Sequence, residues 1–575
     1  MVLPSYKEKL AACIDALVVK TGATSPGKES LLSQITIPPS VDKGNLSIAV
    51  FKFMPKGENP TTFAQKLVWQ FKGDSDFEKL EATGPYINAF ISPAVLNPTI
   101  LTEASNAPSV PGPNAPFVIV EYASPNTNKP LHVGHLRNIS LAESMIRLLE
   151  HEGNKVFRTQ IINNRGVHIC KSMLAYQKWG EGKTPQSEKM KPDHFVGKYY
   201  QLFSKRAEMD EKLEEEAQHM LLKWEQNDGD VRALWKKMNA WVEEGWKDTF
   251  SKLGATFDKN YYESEIYMHG KEIVQQGLDK GLFVKADNGA IIAPLEKKYK
   301  LPDKPLLRGD GTSLYFTQDM YLAMKRFEDY PQTDRIIYIV GAEQEMHFKQ
   351  LFAILDMLGF TQAKKCYHLG YNLLVLPSGK MSARAGTVVD ADELINELTQ
   401  LAKDEYTKRS PEMNPTEIAR RSAVIGMAAL KFFMVKQDAK KEIIFNPAES
   451  ISFEGQTGPY LLYANARAQS MLKKSLRKPS IEKAGLLTET REKELLSLLS
   501  RKSEIISSAL AHYSPHVLAY YLLELANTFN TYYHEVKVIQ ENPDLEDARL
   551  ALVKAFHDVM EEGLFLLGIE TLKEM

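Results

Sequence analysis

Apolar and polar positions in the middle of the chain follow the order of a parallel α/β fold. An apolar run at 117–123 (FVIVEYA) precedes a helical pattern at 136–153, and a second apolar run follows at 155–162 (KVFRTQII). Strand, helix and strand in this order predict a βαβ unit. Two further apolar runs, RIIYIV and YNLLVL, predict that the sheet continues at 335–340 and 371–376.

The patterns on either side of this unit differ from it. Residues 1–113 begin with an amphipathic helical pattern, continue as a mixed region and close in a segment rich in proline. Residues from about 171 to 257 are charged and helical, which is typical of inserted surface helices without a catalytic role. From residue 442 almost every pattern is helical. We therefore predict an α+β domain (1–113), an α/β domain (114–441) with a helical insertion (171–257), and an all-α domain (442–575).

The composition is that of an ordinary soluble protein of 575 residues, with 43% hydrophobic and 25% charged residues. The formal net charge is −2, so any surface for nucleic acid must be local. Cys13, Cys170 and Cys366 form neither a CxxC pair nor a disulfide framework, which suits a reducing cytoplasm and predicts no structural zinc. Lysines and an aspartate interrupt the apolar positions of the N-terminal stretch, so we expect neither a secretory signal nor a membrane span.

A pair of histidines follows the first predicted strand. His132 and His135 flank Gly134 in KPLHVGHLRN, where the strand pattern changes to a helical one. A helix N-terminus offers unpaired N–H groups, imidazoles can donate further hydrogen bonds to phosphate oxygens, and glycine lets a nucleotide approach the backbone. The alternative is a pair of surface histidines without a function, and this short pattern alone does not decide between the two.

A second segment, GKMSARAG, changes this balance. It places Lys380, Ser382 and Arg384 between two glycines, after an apolar strand and before a helix that we expect Asp390 to cap. A lysine between glycines is by itself more often a solvated charge. Together with the histidine pair, however, it favours a nucleotide site.

The two segments HVGH and KMSAR resemble the HIGH and KMSKS signatures of the class I aminoacyl-tRNA synthetases. Longer stretches resemble the arginyl-tRNA synthetases in particular, namely EYASPNTNKPLHVGHLRN, LYFTQD, YIVGAEQEMHF, GKMSARAGTVVD and SFEGQTGPYLLYANAR. The resemblance covers nearly the whole chain, since GPYINAF is similar to the N-terminal module of that family and LAYYLLELANTFNTYYHEV to its C-terminal domain. Several matches in the same order are far more specific than one tetrapeptide.

The resemblance implies an α/β fold with a Rossmann-type parallel-sheet catalytic domain, an N-terminal domain that contacts tRNA and a C-terminal all-α anticodon-binding domain. It implies a ligase that uses ATP and Mg²⁺ to form arginyl adenylate from L-arginine, and that then esterifies the 3′-terminal adenosine of tRNA(Arg). A cytoplasmic monomer is expected. The alternatives are another class I synthetase and a non-catalytic tRNA-binding paralogue, although pure binding needs neither the histidines nor the lysine.

The same resemblance implies an ATP site built from the two signatures. Attack on the α-phosphate builds negative charge on phosphoryl oxygens, which donors and cations stabilise. The second lysine of the KMSKS pattern is Ala383 here, so Lys129 or Arg384 must compensate. The predicted catalytic residues are His132, His135, Lys380 and Lys129. The predicted ATP-binding residues are His132, Gly134, His135, Lys380, Met381, Ser382 and Arg384.

Arginine recognition requires acceptors, because a guanidinium carries only donors. By charge, Asp319 and Glu121 face the cationic groups of arginine, and Tyr315 lies along its side chain. The resemblance implies an arginine-binding group of Glu121, Ser124, Asn126, Tyr315, Asp319 and Gln344.

The C-terminal domain offers aromatic and basic side chains that can hold single-stranded bases. Tyr460, Tyr463 and Arg467 share one face of a predicted helix, although tyrosines at this spacing are often core residues. Weaker candidates for tRNA contact are Tyr532, Tyr533 and His534.

Overall fold

The structure, a computed structural model, describes residues 2–73, 76–310, 316–372, 374–375, 389–409 and 412–575. Its N-terminal part consists of α1 (Val2–Lys20), α2 (Lys28–Leu32), β1 (Leu46–Ala49), α3 (Pro60–Gln70), β2 (Phe77–Thr83), β3 (Tyr86–Ile91) and α4 (Pro93–Ala104). The strands form an antiparallel sheet in the order β1-β3-β2. α1 buries Leu10, Ile14 and Val18 in an apolar cluster that also contains side chains of this sheet, since residues four apart share one helix face.

The centre of the molecule is a parallel sheet, which confirms the predicted α/β class. It contains β4 (Phe117–Glu121), β5 (Lys155–Ile162), β6 (Lys259–Tyr262), β10 (Thr333–Gly341) and β11 (Cys366–Tyr371), in the spatial order β11-β10-β4-β5-β6. Ile119 and Val120, neighbours on β4, are fully buried in different apolar clusters, because the sheet is covered on both faces. The carboxyl ends of these strands lie along one edge, where α/β folds bind their ligands.

Helices connect these strands. α5 (Val133–His151) runs from β4 to β5. Between β5 and β6 lie the helices of the insertion, which pack through large apolar side chains such as the buried Trp224 and Trp246. They are α6 (Val167–Trp179), α7 (Pro192–Ala207), α8 (Lys212–Glu225) and α9 (Gly229–Leu253).

A small antiparallel sheet in the order β7-β8-β9 follows β6, with β7 at Val284–Lys285, β8 at Ile291–Ala293 and β9 at Lys304–Leu307. Gly289 has a φ of 84° in the turn between β7 and β8, a conformation that glycine adopts without strain. The helices around this sheet are α10 (Glu263–Ile266), α11 (Gly270–Asp279), α12 (Glu296–Tyr299), α13 (Phe316–Asp329) and α14 (Glu345–Met357).

One predicted strand lies elsewhere. The run at 371–376 was expected to extend the main sheet, but the strand beside β10 is β11, just before it. The prediction failed because β11 is an edge strand whose residues are mostly only half-buried, so it carries little apolar pattern. The short β12 (Leu374–Val375) pairs instead with β13 (Ile443–Ile444).

The C-terminal part of the chain, from residue 391 onward, consists of helices in its described residues apart from the short β13, and the all-α pattern predicted from residue 442 is confirmed. Its helices often begin at asparagine or threonine caps whose side chains accept hydrogen bonds from first-turn N–H groups, as Asn414 and Thr457 do. No described helix is long and apolar enough to cross a membrane. The helices are α15 (Ala391–Arg409), α16 (Pro415–Val435), α17 (Pro447–Ser450), α18 (Gly458–Lys474), α19 (Thr490–Leu499), α20 (Lys502–Ala511), α21 (Pro515–Glu535) and α22 (Pro543–Leu566).

Candidate active site

His132 and His135 lie at the start of α5. His132 is the N-cap residue: the Gly134 N–H donates to its Nδ1 (3.2 Å), and its own N–H donates to Nδ1 of His135 (3.1 Å). The two imidazole centroids are 4.0 Å apart. A Cβ on residue 134 would lie 3.0 Å from Nδ1 of His132, so glycine leaves room for the ring. The HVGH sequence therefore forms a capping box made of histidines.

Both imidazoles are neutral at pH 7 and keep one donor each. Burial, followed by the charge of Lys129, lowers the pKa of His132 to about 4. Burial and the neighbouring His132 lower the pKa of His135 well below its usual value. Because Nδ1 of each ring accepts a hydrogen bond, the proton of the neutral ring lies on Nε2. Two Nε2–H donors at a helix N-terminus suit the oxygens of a phosphate.

Lys129 is the cation next to this pair. Its positive charge contributes to the lowered pKa of both histidines, and burial lowers the pKa of Lys129 itself. The structure thus brings His132, Gly134, His135 and Lys129 together in one turn.

The described residues that flank the second signature are attached to α5 and its N-terminus. The Val133 N–H donates to the Val389 carbonyl (3.0 Å). On the other side of the signature, Arg137 of α5 donates to the carbonyl of Asn372. The second signature itself lies outside the described residues, including the predicted Lys380, Met381, Ser382 and Arg384.

Glu121 ends β4 but does not present an uncompensated carboxylate. It is 4% exposed, and Arg326 of α13, which is 0% exposed, donates to its Oε2. The expectation that Glu121 balances a cationic group of arginine therefore needs correction, because Arg326 already neutralises it.

Asp319 offers the partly exposed carboxylate that Glu121 does not. It lies in the first turn of α13, and Nε2 of His347 in α14 lies 2.7 Å from its Oδ2. His347 was not predicted from the sequence. Its only signal there is its place in the EQEMHF stretch, three residues after the predicted Gln344.

Glu263 is a second residue that sequence reasoning missed. It follows β6, is 3% exposed, and its Oε1 has no hydrogen-bond partner among the described residues. Burial raises the pKa of Glu263 to about 7. The charge of Arg165 and then the side chain of Gln318 oppose this rise, and the charge of Asp319 adds to it. The charge of Asp319 thus acts on Glu263 at the carboxyl end of β6, and two such carboxylates form an acceptor group for a cation.

The other predicted arginine-binding residues have different surroundings. Ser124 has a positive φ of 45°, and its Oγ accepts from the Ile161 N–H (3.1 Å), which joins the end of β4 to β5. Asn126 and Gln344 follow β4 and β10 and are exposed. Tyr315 lies outside the described residues.

A groove of about 650 Å³ on the C-terminal helices holds part of the predicted tRNA-binding group. Arg467 lies over the rings of Tyr463 and Tyr533, 4.6 and 4.5 Å from their centroids. Tyr460 donates to Asn527 (2.5 Å). Tyr532 is 0% exposed, and burial raises its pKa. The prediction that Tyr532 contacts tRNA is therefore wrong, because its neighbour on α21 occupies the surface instead.

Protein-family models match successive parts of the chain. The arginyl tRNA synthetase N terminal domain matches residues 5–91. The catalytic domain of the tRNA synthetases class I (R) matches residues 98–447, which include both signatures and span more than half of the chain. The chain belongs to the arginyl-tRNA synthetase family. The DALR anticodon binding domain of such proteins matches residues 461–575, which contain the groove.

Individual members of the arginyl-tRNA synthetase family match over almost their full length. The arginine–tRNA ligase of Treponema denticola is 42% identical over 564 residues, which cover 94% of each chain. That of Bacteroides fragilis is 40% identical and covers 92% of this chain and 93% of its own. The arginyl-tRNA synthetase of Thermus thermophilus has a TM-score of 0.79 at 25% identity, with coverage of 99% and 100%.

Proposed function

We propose that this chain activates L-arginine with ATP and transfers it to tRNA(Arg). In the first step a carboxylate oxygen of arginine attacks the α-phosphorus of ATP, and pyrophosphate leaves. In the second step a hydroxyl of the 3′-terminal adenosine attacks the arginyl carbonyl, and AMP leaves. The observation that carries the proposal is the geometry of His132 and His135, which cap the start of α5 through their Nδ1 atoms, in a chain of this family.

The histidine pair would stabilise the transition state of the first step. Negative charge grows on the phosphoryl oxygens as pyrophosphate departs, so donors that are already fixed lower the barrier without reorganising. Capping bonds fix both rings, and Lys129 adds a positive charge beside them. Lys380, Met381, Ser382 and Arg384 remain predictions from the sequence.

Arginine would bind with its guanidinium against Asp319 and Glu263. The first is held by His347, and the second has an unpaired oxygen. A planar guanidinium can satisfy both carboxylates, whereas the ammonium of lysine lacks the fork that spans them. Ser124, Asn126, Tyr315 and Gln344 remain candidates for the rest of the substrate.

Mg²⁺ would enter with ATP rather than on a protein site. Among the described residues, Asp193, His194 and Asp392 lie close enough together to hold a metal ion. Lys191 Nζ, however, lies 2.6 Å from Oδ2 of Asp392 and already balances this carboxylate. The ion would neutralise the phosphates of the nucleotide.

The tRNA would extend from the groove to the catalytic edge. An aromatic and basic groove suits unstacked bases, and the small net charge is compatible with a local basic surface. We assign tRNA contact to domains at 1–113 and 442–575, on either side of the catalytic domain at 114–441. We place the reaction in the cytoplasm and treat the monomer as the active form.

Arginine-dependent exchange of radioactive pyrophosphate into ATP, measured with each amino acid in the presence and absence of tRNA, tests this function. Exchange that requires arginine, followed by esterification of tRNA(Arg), is the expected result. Exchange with a different amino acid would identify another class I synthetase. No exchange with any amino acid in the presence of tRNA would identify a non-catalytic tRNA-binding protein.

A further inference from the structure

A cluster of charged side chains joins the helical insertion to the start of α15. Lys191 Nζ lies 2.6 Å from Oδ2 of Asp392 and 3.2 Å from Oδ2 of Asp193, and it also donates to Thr249 of α9 (2.6 Å). His194, in the first turn of α7, lies between two carboxylates. Its Nε2 is 3.2 Å from Oδ2 of Asp390 and 3.3 Å from Oδ2 of Asp392, aligned with neither, so the contact is chiefly an ion pair.

Asp390 connects this cluster to the proposed ATP site. Its Oδ1 accepts from the N–H groups of Asp392 (2.9 Å) and Glu393 (3.1 Å), so it caps α15. Its backbone forms an antiparallel bridge with His132. The Asp390 carboxylate is near enough to raise the pKa of His132 against the effects of burial and Lys129. Without compensation, such a carboxylate would repel a triphosphate bound at His132.

The insertion also packs against the turn before the histidines. A Cβ on Gly197 of α7 would lie 2.7 Å from Cδ of Pro130, so only glycine permits this approach. In the same way, a Cβ on Gly245 of α9 would lie 2.3 Å from Oδ1 of Asp193. α7 is therefore packed against the turn before the histidines and α9 against α7, although the sequence pattern predicted inserted surface helices without a catalytic role.

We propose that His194 is a positioning residue for ATP, which neutralises the Asp390 carboxylate and thereby keeps the turn at His132 attractive to the triphosphate. This inference rests on the proposed function, since it assigns the triphosphate to that turn. The Asp390 carboxylate, followed by that of Asp392, raises the pKa of His194 to about 10, so the imidazolium is charged at neutral pH. Lys191 neutralises the carboxylate of Asp392, so the charge of His194 is available to neutralise the carboxylate of Asp390.

The test measures binding of a non-hydrolysable ATP analogue by calorimetry, together with KM values in pyrophosphate exchange. His194→Asn is expected to weaken analogue binding and raise the KM for ATP by about tenfold, as expected for one unneutralised charge nearby. The KM for arginine should change by less than about twofold. His219→Asn, on an exposed position of α8 in the same insertion, is the matched control and should change neither value.

The double variant His194→Asn/Asp390→Asn separates charge compensation from packing. Asparagine can still cap α15, and removal of the carboxylate should restore analogue binding to within about twofold of the wild type. Unrestored binding, or unchanged binding in His194→Asn alone, would overturn the proposal. If His194→Asn unfolds, Asp390→Asn alone must bind the analogue at least as tightly as the wild type. Binding of the analogue does not need turnover. A wild-type protein that binds the analogue but shows no arginine-dependent exchange would contradict the proposed function and not the role of His194.

Discussion

Nε2 of His347 lies 2.7 Å from Oδ2 of Asp319, so a side chain of α14 holds the carboxylate that we assign to the guanidinium of arginine. Asp319→Asn removes a charged acceptor and should raise the KM for arginine by about 100-fold or more, while the KM for ATP stays unchanged. Exchange kinetics at varied arginine provide the measurement. A KM within about twofold of the wild type would show that another group binds the guanidinium.

The supporting role of His347 can be tested on its own. His347→Ala should raise the KM for arginine by about tenfold, because Asp319 loses the partner that orients it. His347→Gln places an amide nitrogen near the position of Nε2 and should recover most of that loss. Equal effects of alanine and glutamine would mean that the imidazole acts in another way.

The contact between His132 and His135 is predictable from the sequence, because it depends only on their spacing along the chain. An N-cap residue and the residue three positions later meet in one helical turn, so the tetrapeptide HVGH by itself determines how His132 and His135 contact each other. Glu263 and His347 come from elements more than 100 residues away from this turn in the sequence. Only the parallel alignment of β4, β6 and β10 brings them to the same edge, and no local pattern encodes that alignment.

Burial of single residues is also beyond the local pattern. Tyr532 and Tyr533 are adjacent aromatic residues in a helix, so about 100° separates their side chains around the axis. Both cannot face the core, but the sequence does not show how the helix is rotated about its axis and therefore which of the two is buried. Likewise, the pairing of Glu121 with Arg326 depends on packing of α13 against the sheet, which composition does not reveal.

The two roles of His132, capping and catalysis, can be separated. His132→Asn retains an oxygen near the position of Nδ1 and so keeps the cap, but it lacks the Nε2–H donor. It should lower kcat for adenylate formation by about 100-fold with little change in stability. His132→Ala should lose the same activity and in addition about 1 kcal/mol of unfolding free energy. A fully active His132→Asn would exclude the donor from catalysis.

The low pKa of His132 also makes a prediction for wild-type kinetics. Since the pKa of His132 is lowered to about 4, the ring stays neutral throughout the range from pH 6 to 8. The single-turnover rate of adenylate formation with saturating arginine should therefore show no break near pH 6.5 that comes from His132. A break that is present in the wild type and absent in His132→Asn would contradict this prediction.

Lys129 is expected to replace the positive charge that Ala383 does not supply. Its charge is felt at both histidines, so it lies beside the assigned phosphate position. Lys129→Ala should lower kcat for adenylate formation by about tenfold, and Lys129→Arg should retain most of it. Undiminished adenylate formation in Lys129→Ala would leave Arg384 as the compensating residue.

Glu263 should make arginine binding depend on pH. The pKa of Glu263 is raised to about 7 from an ordinary value of 4.5. Below pH 7 the protonated side chain is a poorer acceptor for the guanidinium, so the KM for arginine should fall as pH rises from 6 to 8. Glu263→Gln should raise the KM at pH 8 and flatten this dependence. A wild-type KM that is constant with pH would place Glu263 outside the pocket.

The same shift predicts the stability of the protein without substrate. Between pH 4.5 and 7 the folded protein binds the Glu263 proton more tightly than the unfolded chain does, so its stability falls as pH rises through this window. The loss amounts to at most about 3 kcal/mol from this group. Denaturant unfolding of the wild type and of Glu263→Gln at pH 5 and pH 8 measures this loss, which should appear in the wild type and be absent from the variant.

The groove on the C-terminal helices provides a matched pair of neighbouring residues for testing tRNA recognition. Tyr533→Ala removes an exposed ring over which Arg467 lies, and it should raise the KM for tRNA by about tenfold, since a stacked base contributes about 1–3 kcal/mol. Tyr532→Phe removes a buried hydroxyl that has no partner among the described residues, and it should leave tRNA binding unchanged. Arg467→Gln should in addition reduce the dependence of tRNA affinity on salt, because fewer counterions are released. If Tyr533→Ala binds tRNA as tightly as Tyr532→Phe does, the groove does not hold the tRNA.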